Sequence, residues 1–90
     1  MEIKRTTFKK CRSESSALSI TLSDWSTVIQ EAYATHAADG KGKFWGHYLD
    51  TRKEADKDYD LRVRAYQRKG YVIDSVWALD DNIEETQSQL

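Results

Sequence analysis

Three side chains in this sequence carry a thiol or an imidazole, groups that act as nucleophiles, general bases and zinc ligands: Cys11, His36 and His47. Cys11 lies in a cluster of basic residues, which favours the reactive thiolate form. One cysteine and two histidines fall short of the four ligands of a structural zinc site, and no serine lies in a G-x-S-x-G motif. His47 and Asp50 are three residues apart and would pair on a helix, as many surface side chains do. We therefore predict that the protein is not an enzyme and has no catalytic residue, metal or cofactor.

A short basic loop at residues 40–43 (Gly-Lys-Gly-Lys) precedes Phe44 and Trp45. Glycine amides before a helix attract anions, and an aromatic ring beside basic residues can stack on a nucleic-acid base. The spacing is not that of a P-loop. One hypothesis is a nucleic-acid-binding site formed by Lys41, Lys43 and Trp45. The other is that both aromatic residues begin the core and the two lysines are merely solvated.

Further along the chain, basic residues recur at helical spacing on the side opposite to Tyr59 and Tyr66. A positive stripe of this kind could contact an acidic partner or a phosphate backbone. The stripe could instead be neutralised by its own helical ion pairs. The pairs in question are Asp50–Lys53, Glu54–Lys57, Asp58–Arg62 and Asp60–Arg64. The predicted protein-binding residues are Arg52, Lys53, Lys57, Arg64 and Arg68, together with the acidic Asp80 and Asp81.

Charge is divided among four segments, although the net charge is only −1. Residues 1–12 and 41–70 carry +4 each, residues 13–40 carry −4, and residues 71–90 carry −5. One interpretation is that the segments neutralise one another on folding. The other is a molecule with one positive and one negative surface, which would steer a charged partner. In the second case, the C-terminal acids could occupy a nucleic-acid groove in place of phosphates.

Alternation of apolar and polar residues predicts three strands. Residues 17–22 alternate cleanly. Residues 2–12 alternate with a fault that requires either a bulge or two partly covered faces. The polar residues 12–16 suit a hairpin turn between them. Residues 71–79 are rich in β-forming residues and apolar on both sides, which favours the middle of the sheet and leaves open a homodimer.

Apolar spacings of three and four predict two helices. The first is expected over about 24–38 and to end at Asp39-Gly40, with His36 as a packing residue at its C-terminus. The second is expected to run from Phe44 to Gly70 without interruption. The alternative is two shorter helices with a break near 50–53, where Arg52 falls in the apolar line. The residues that form the first stripe are Trp25, Val28, Ile29, Ala32 and His36.

These elements predict an α+β fold: a small antiparallel sheet of about three strands with two helices on one face, in the order β-β-α-α-β. We expect residues 1–82 to form one compact domain and residues 83–90 a flexible acidic tail. The composition agrees with a small globular domain, because 39% of the 90 residues are hydrophobic and ten are aromatic. A mean hydropathy of −0.78 and the lack of a long apolar run predict no membrane span and no secretory signal.

The single cysteine favours a reducing compartment, so we expect a cytoplasmic protein. An excess of Trp, Tyr and Arg is typical of protein-binding surfaces. A compact domain without proline resembles the small accessory or inhibitory proteins of phages and plasmids, including anti-CRISPR proteins. This resemblance implies a non-enzymatic inhibitor that sterically blocks a host protein or ribonucleoprotein complex. The alternative function is nucleic-acid binding through the loop at residues 40–43 and the basic face of the second helix.

Overall fold

A computed structural model describes residues 1–10, 18–39 and 42–79, without the side chains of Lys43 and Phe44. These residues form five strands and one helix. In chain order the elements are β1 (Glu2–Lys9), β2 (Leu18–Asp24), β3 (Tyr33–Asp39), β4 (Gly42–Leu49), α1 (Arg52–Arg68) and β5 (Val72–Ala78). Among the residues that the structure describes, no helix combines the length and the apolar character needed to cross a membrane.

The sheet is antiparallel throughout, with the strand order β4-β3-β2-β1-β5. Strands β1 to β4 follow one another as a meander, and α1 then carries the chain across one face so that β5 pairs with β1 at the opposite edge. The result is a small single-domain α+β fold. The predicted arrangement of three strands and two helices is wrong, because the observed order is β-β-β-β-α-β.

The predicted helix over 24–38 is wrong because this segment forms a hairpin loop followed by β3. β3 pairs with β2 along its whole length, from Tyr33 opposite Asp24 to Asp39 opposite Leu18. Alternate residues of β3 are buried under α1, including Tyr33 and Ala37. Burial along this segment therefore repeats every two residues, as in a strand, and not every three or four residues, as in a helix. His36 therefore lies within a strand, and its predicted place at a helix terminus is also wrong.

The predicted second helix is wrong in its N-terminal part, because residues 42–49 form β4. In β4, Trp45, His47 and Leu49 alternate on the face that α1 covers, opposite the inward residues of β3. The helix begins only at Arg52, inside the region where a break was the alternative. Its end is as predicted: Gly70 has a φ of 101°, a conformation that glycine adopts without steric cost.

A side-chain cap fixes where α1 begins. Thr51 is the N-cap residue, and its Oγ1 accepts a hydrogen bond of 3.2 Å from the amide of Glu54. The same hydroxyl donates to Glu54 Oε1 at 3.0 Å. Thr51 and Glu54 have the spacing of a capping box, which satisfies amides that would otherwise lack partners at a helix N-terminus.

The two N-terminal strands and β5 lie close to where residue alternation predicts them. A register irregularity between Glu2 and Lys4 agrees with the bulge, one of the two alternatives that the pattern of β1 left open. β5 is an edge strand, so its expected place in the middle of the sheet is wrong. The predicted turn at 12–16, the domain limit at 82 and the tail at 83–90 lie outside the described residues.

The core lies between α1 and one face of the sheet. Phe8, Ile20 and Leu22 are almost completely buried there, and α1 contributes Ala55 and Tyr59 to the same cluster. The Tyr59 hydroxyl and Thr6 Oγ1 are hydrogen-bonded at 2.5 Å, which joins α1 to β1. Because all these groups lie on the inward side of α1, the outward side is left to polar residues.

Candidate protein-binding surfaces

The outer face of α1 carries the basic residues that the sequence singled out. Residues at steps of three and four share a helix face, so the inward side chains Ala55 and Tyr59 fix which residues point outward. Those residues are exposed, and they lie on a helix held rigidly against the sheet. We call them the cationic face: Lys53, Lys57, Arg64 and Arg68.

None of the four cations forms an ion pair with a residue that the structure describes. Of the helical pairs that were expected to neutralise the stripe, only Asp58–Arg62 is formed among the described residues, at 3.7 Å. Glu54 is instead engaged by the N-cap. Leu61 is half exposed beside the cationic face and adds an apolar contact point. Asp60 is exposed on the same line of the helix, between Lys57 and Arg64, so this side of α1 carries four cations and one carboxylate among the described residues.

Arg52 does not belong to the cationic face, although the sequence grouped it there. Its Nε lies 3.1 Å from Asp56 Oδ1 in a local ion pair. Asp56 also lies 3.0 Å from Lys4 Nζ of β1. Arg52 thus contributes to docking the first turn of α1 on the sheet.

An apolar hairpin tip between β2 and β3 is a second exposed surface, and sequence reasoning missed it. Val28 and Ile29 are 103% and 92% exposed, and Trp25 is 66% exposed. These side chains were expected to be a buried helical stripe. Large apolar groups that protrude together from a small domain are typical of a binding site.

Hydrogen bonds across the hairpin hold this tip in place. The amide of Trp25 donates to the Ala32 carbonyl at 2.8 Å, and the amide of Thr27 donates to the Gln30 carbonyl at 2.8 Å. Such a pre-ordered loop loses little entropy on binding.

The base of the hairpin is acidic. Hydrogen bonds from Ser26 to the Asp24 carboxylate lower the pKa of Asp24, so it keeps its negative charge at neutral pH. Glu31 lies on the opposite arm and accepts a hydrogen bond from the Tyr33 hydroxyl at 3.1 Å. No Lys or Arg occurs between residues 13 and 40. The tip is thus apolar, and its base carries the carboxylates of Asp24 and Glu31 together with the chain's amino terminus, which donates to the Asp24 carbonyl at 2.8 Å.

A polar cluster joins β3 and β4 to α1. Asp58 accepts a hydrogen bond of 2.5 Å from the fully buried Thr35 hydroxyl and lies 3.4 Å from Nδ1 of His47. Nη2 of Arg62 lies 2.9 and 3.0 Å from the two ring nitrogens of His47. The expected pairing of His47 with Asp50 on one helix is wrong, because His47 lies in β4 and faces α1.

This cluster satisfies its own hydrogen-bonding groups. Both ring nitrogens of His47 lie within hydrogen-bond distance of Arg62 Nη2, and Nδ1 also lies 3.4 Å from Asp58 Oδ1. His47 is thus engaged by two side chains of α1. The geometry supports a role in fixing α1 on the sheet.

The predicted nucleic-acid-binding residues are only partly described. Lys41 lies outside the described residues, and of Lys43 only the backbone is described. Trp45 donates from Nε1 to the Tyr66 hydroxyl at 3.1 Å, and the Arg62 guanidinium lies 4.9 Å from its ring centroid. The indole ring is therefore packed into the fold, which reduces its use as a stacking platform.

The remaining candidates are scattered. His36 lies on the face of the sheet away from α1, opposite Gly46 of β4. Cys11, Asp80 and Asp81 lie outside the described residues. Within the described part of the chain, no three His, Cys, Asp or Glu side chains are grouped as metal ligands would be.

Comparison with known proteins returns no relative: no family model, no curated protein and no solved structure matches this chain.

Proposed function

We propose that this protein is a non-enzymatic, cytoplasmic protein-binding module that blocks a macromolecular complex sterically, in the manner of small phage and plasmid inhibitors such as anti-CRISPR proteins. The cationic face of α1 contacts an acidic surface of the target. The observation that carries this proposal is that Lys53, Lys57, Arg64 and Arg68 are exposed together on one helix and form no ion pair with a described residue. Unpaired charges of one sign accelerate and orient the approach of a partner of the opposite sign.

The hairpin tip favours a protein as the partner. Burying Val28 and Ile29 against an apolar surface is favourable by about 25 cal/mol for each Å² removed from water. A phosphate backbone offers no such surface.

Nucleic-acid binding is the second candidate, and the cationic face itself is what favours it. Four exposed cations can neutralise phosphates, and such binding weakens steeply as the salt concentration rises. Trp45 disfavours nucleic-acid binding, because its indole ring is packed against Tyr66 and Arg62.

The test is a pull-down from a lysate of the cells in which the protein occurs, split into nuclease-treated and untreated halves. The wild-type protein is compared with the charge-reversed variant K53E/K57E/R64E/R68E. The matched control, K53R/K57R/R64K/R68K, keeps all four charges at the same positions. Exposed ion pairs contribute about 0.2–1 kcal/mol each, so losing four weakens binding by about fourfold to about a thousandfold.

We expect a stoichiometric protein that survives nuclease, is retained by the charge-conserving control and is lost by the charge-reversed variant. Recovery that disappears with nuclease would move nucleic-acid binding to first place. Equal recovery by the control and the charge-reversed variant would exclude the cationic face as the binding surface.

A further inference from the structure

The outer edge of β5 carries exposed apolar side chains. Val72 and Val76 are more than half exposed, and Trp77 is 39% exposed. No described strand lies beyond β5 in the sheet. Exposed edge strands pair with further strands unless charged residues, proline, a bulge or a covering segment prevents it. Val72–Ala78 contains no Lys, Arg or Pro, and its one charged residue, Asp74, is paired with Lys9.

The register of β5 on β1 shows which of its side chains share a face. Ile73 and Val76 stand opposite Phe8 and Thr6 of β1, on the side that α1 covers. Val72, Ser75 and Trp77 stand opposite Lys9, Thr7 and Arg5, on the other side. The register irregularity between Thr7 and Phe8 leaves Asp74 as an extra residue.

We infer that the β5 edges of two copies of this chain pair antiparallel about a twofold axis, so that the two five-stranded sheets become continuous. In this register Val72 stands opposite Trp77, Ile73 opposite Val76, and Asp74 opposite Ser75. Paired residues in an antiparallel ladder must share a face, and all the apolar pairs here do so. A shift by one residue would place Val72 opposite Val76, which lie on different faces.

The occupant is a second copy because the strand is complementary to itself. A twofold axis requires that when one residue stands opposite a second, the second stands opposite the first in the other chain. This register meets that condition, because Val72–Trp77 of each chain pairs with Val72–Trp77 of the other. The two Asp74 carboxylates lie diagonally beside the twofold axis, and Lys9 of the same chain lies 3.5 Å from each of them. The pairing therefore covers exposed apolar side chains, and the Lys9 ion pairs offset the two like charges.

The first test is the solution mass of the full chain, measured by light scattering and sedimentation across a wide concentration range. We expect the wild type to reach twice the 10.4 kDa mass of one chain. Val76→Lys adds the charge that protects natural edges and should remain at the mass of one chain. Tyr48→Lys is the matched control, because it places the same charge at an exposed side chain of the other edge strand, β4, and it should dimerise like the wild type.

A monomeric wild type at every concentration would overturn the inference, and so would a Val76→Lys variant that still dimerises. The register is tested separately by oxidising chains that carry Val72→Cys mixed with chains that carry Trp77→Cys, both in a Cys11→Ser background. Cross-linked dimers should form in the mixture and not in either variant alone, because only opposite residues come within disulfide distance. Equal cross-linking in the mixture and in the separate variants would refute the proposed register.

Discussion

At the scale of single residues, Asp58 makes the contacts on which the seam between α1 and the sheet depends. Its side chain is 18% exposed, and its two oxygens face the Thr35 hydroxyl, His47 and Arg62. Thr35 is fully buried, so its hydroxyl has no access to water, and Asp58 supplies the acceptor for its hydrogen bond. The sequence placed Asp58 in a helical pair with Arg62 but could not indicate the contacts from β3 and β4.

Replacing Asp58 with Ala should lower the free energy of unfolding by about 1–3 kcal/mol, because a buried hydroxyl and a histidine–arginine pair lose their acceptor. Urea denaturation followed by circular dichroism measures this change. Asp60→Ala is the control, because Asp60 is exposed and should change stability by less than about 0.5 kcal/mol. Equal effects of the two substitutions would contradict the role assigned to Asp58.

At the scale of elements, the boundary between β4 and α1 depends on one cap. Thr51 and Glu54 have the Ser/Thr-x-x-Glu spacing that marks a helix N-terminus, and this motif is visible in the sequence. This motif places the start of the helix at Thr51 and not at Phe44. The cap also explains why the expected Glu54–Lys57 pair is not formed, since the Glu54 carboxylate is hydrogen-bonded to Thr51.

Thr51→Ala should destabilise the fold by about 1 kcal/mol, because the amide of Glu54 loses its acceptor at the start of α1. Thr51→Ser keeps the hydroxyl and should lie within a few tenths of a kcal/mol of the wild type. Thermal unfolding of the three proteins measures the difference. If Ser and Ala were equally destabilising, the methyl group of Thr51 and not its hydroxyl would be responsible.

At the scale of the whole molecule, Asp56 ties the first turn of α1 to β1. Burial raises the pKa of Asp56, but hydrogen bonds from Lys4 and Arg52 outweigh that effect and lower the pKa below its ordinary value. A carboxylate whose pKa is lower in the folded than in the unfolded state stabilises the fold above the unfolded pKa, which is about 4. That contribution is lost as the pH falls through the folded pKa.

Asp56→Asn should therefore be less stable than the wild type at neutral pH by at most about 1 kcal/mol, because the ion pairs are partly exposed. The difference between the two proteins should shrink as the pH falls below about 4, where Asp56 becomes protonated. Denaturation midpoints across the acidic range measure this convergence. A difference that stayed constant with pH would show that charge on Asp56 does not contribute.

The sequence by itself determined the elements whose pattern is local. β2, β5 and the C-terminal part of α1 follow from alternation or helical spacing within a single element, and Gly70 ends the helix through its own backbone freedom. The parity of the apolar residues in β1 left two alternatives, a bulge or two partly covered faces, and the register irregularity between Glu2 and Lys4 agrees with the bulge. The cationic face could be located because helix geometry alone places its residues on one line.

Only the tertiary structure decided residues 24–49. Apolar spacing there fits a helical stripe, but pairing of β3 with β2 and of β4 with β3 offers backbone hydrogen bonds and buries Tyr33 and Ala37 under α1. The pairing partners are neighbours along the chain, but the cover that buries Tyr33 and Ala37 comes from α1, which lies outside this segment, so a window over residues 24–49 does not contain it. The same holds for the exposure of Val28 and Ile29, since a side chain is buried or exposed only in relation to the elements that pack around it.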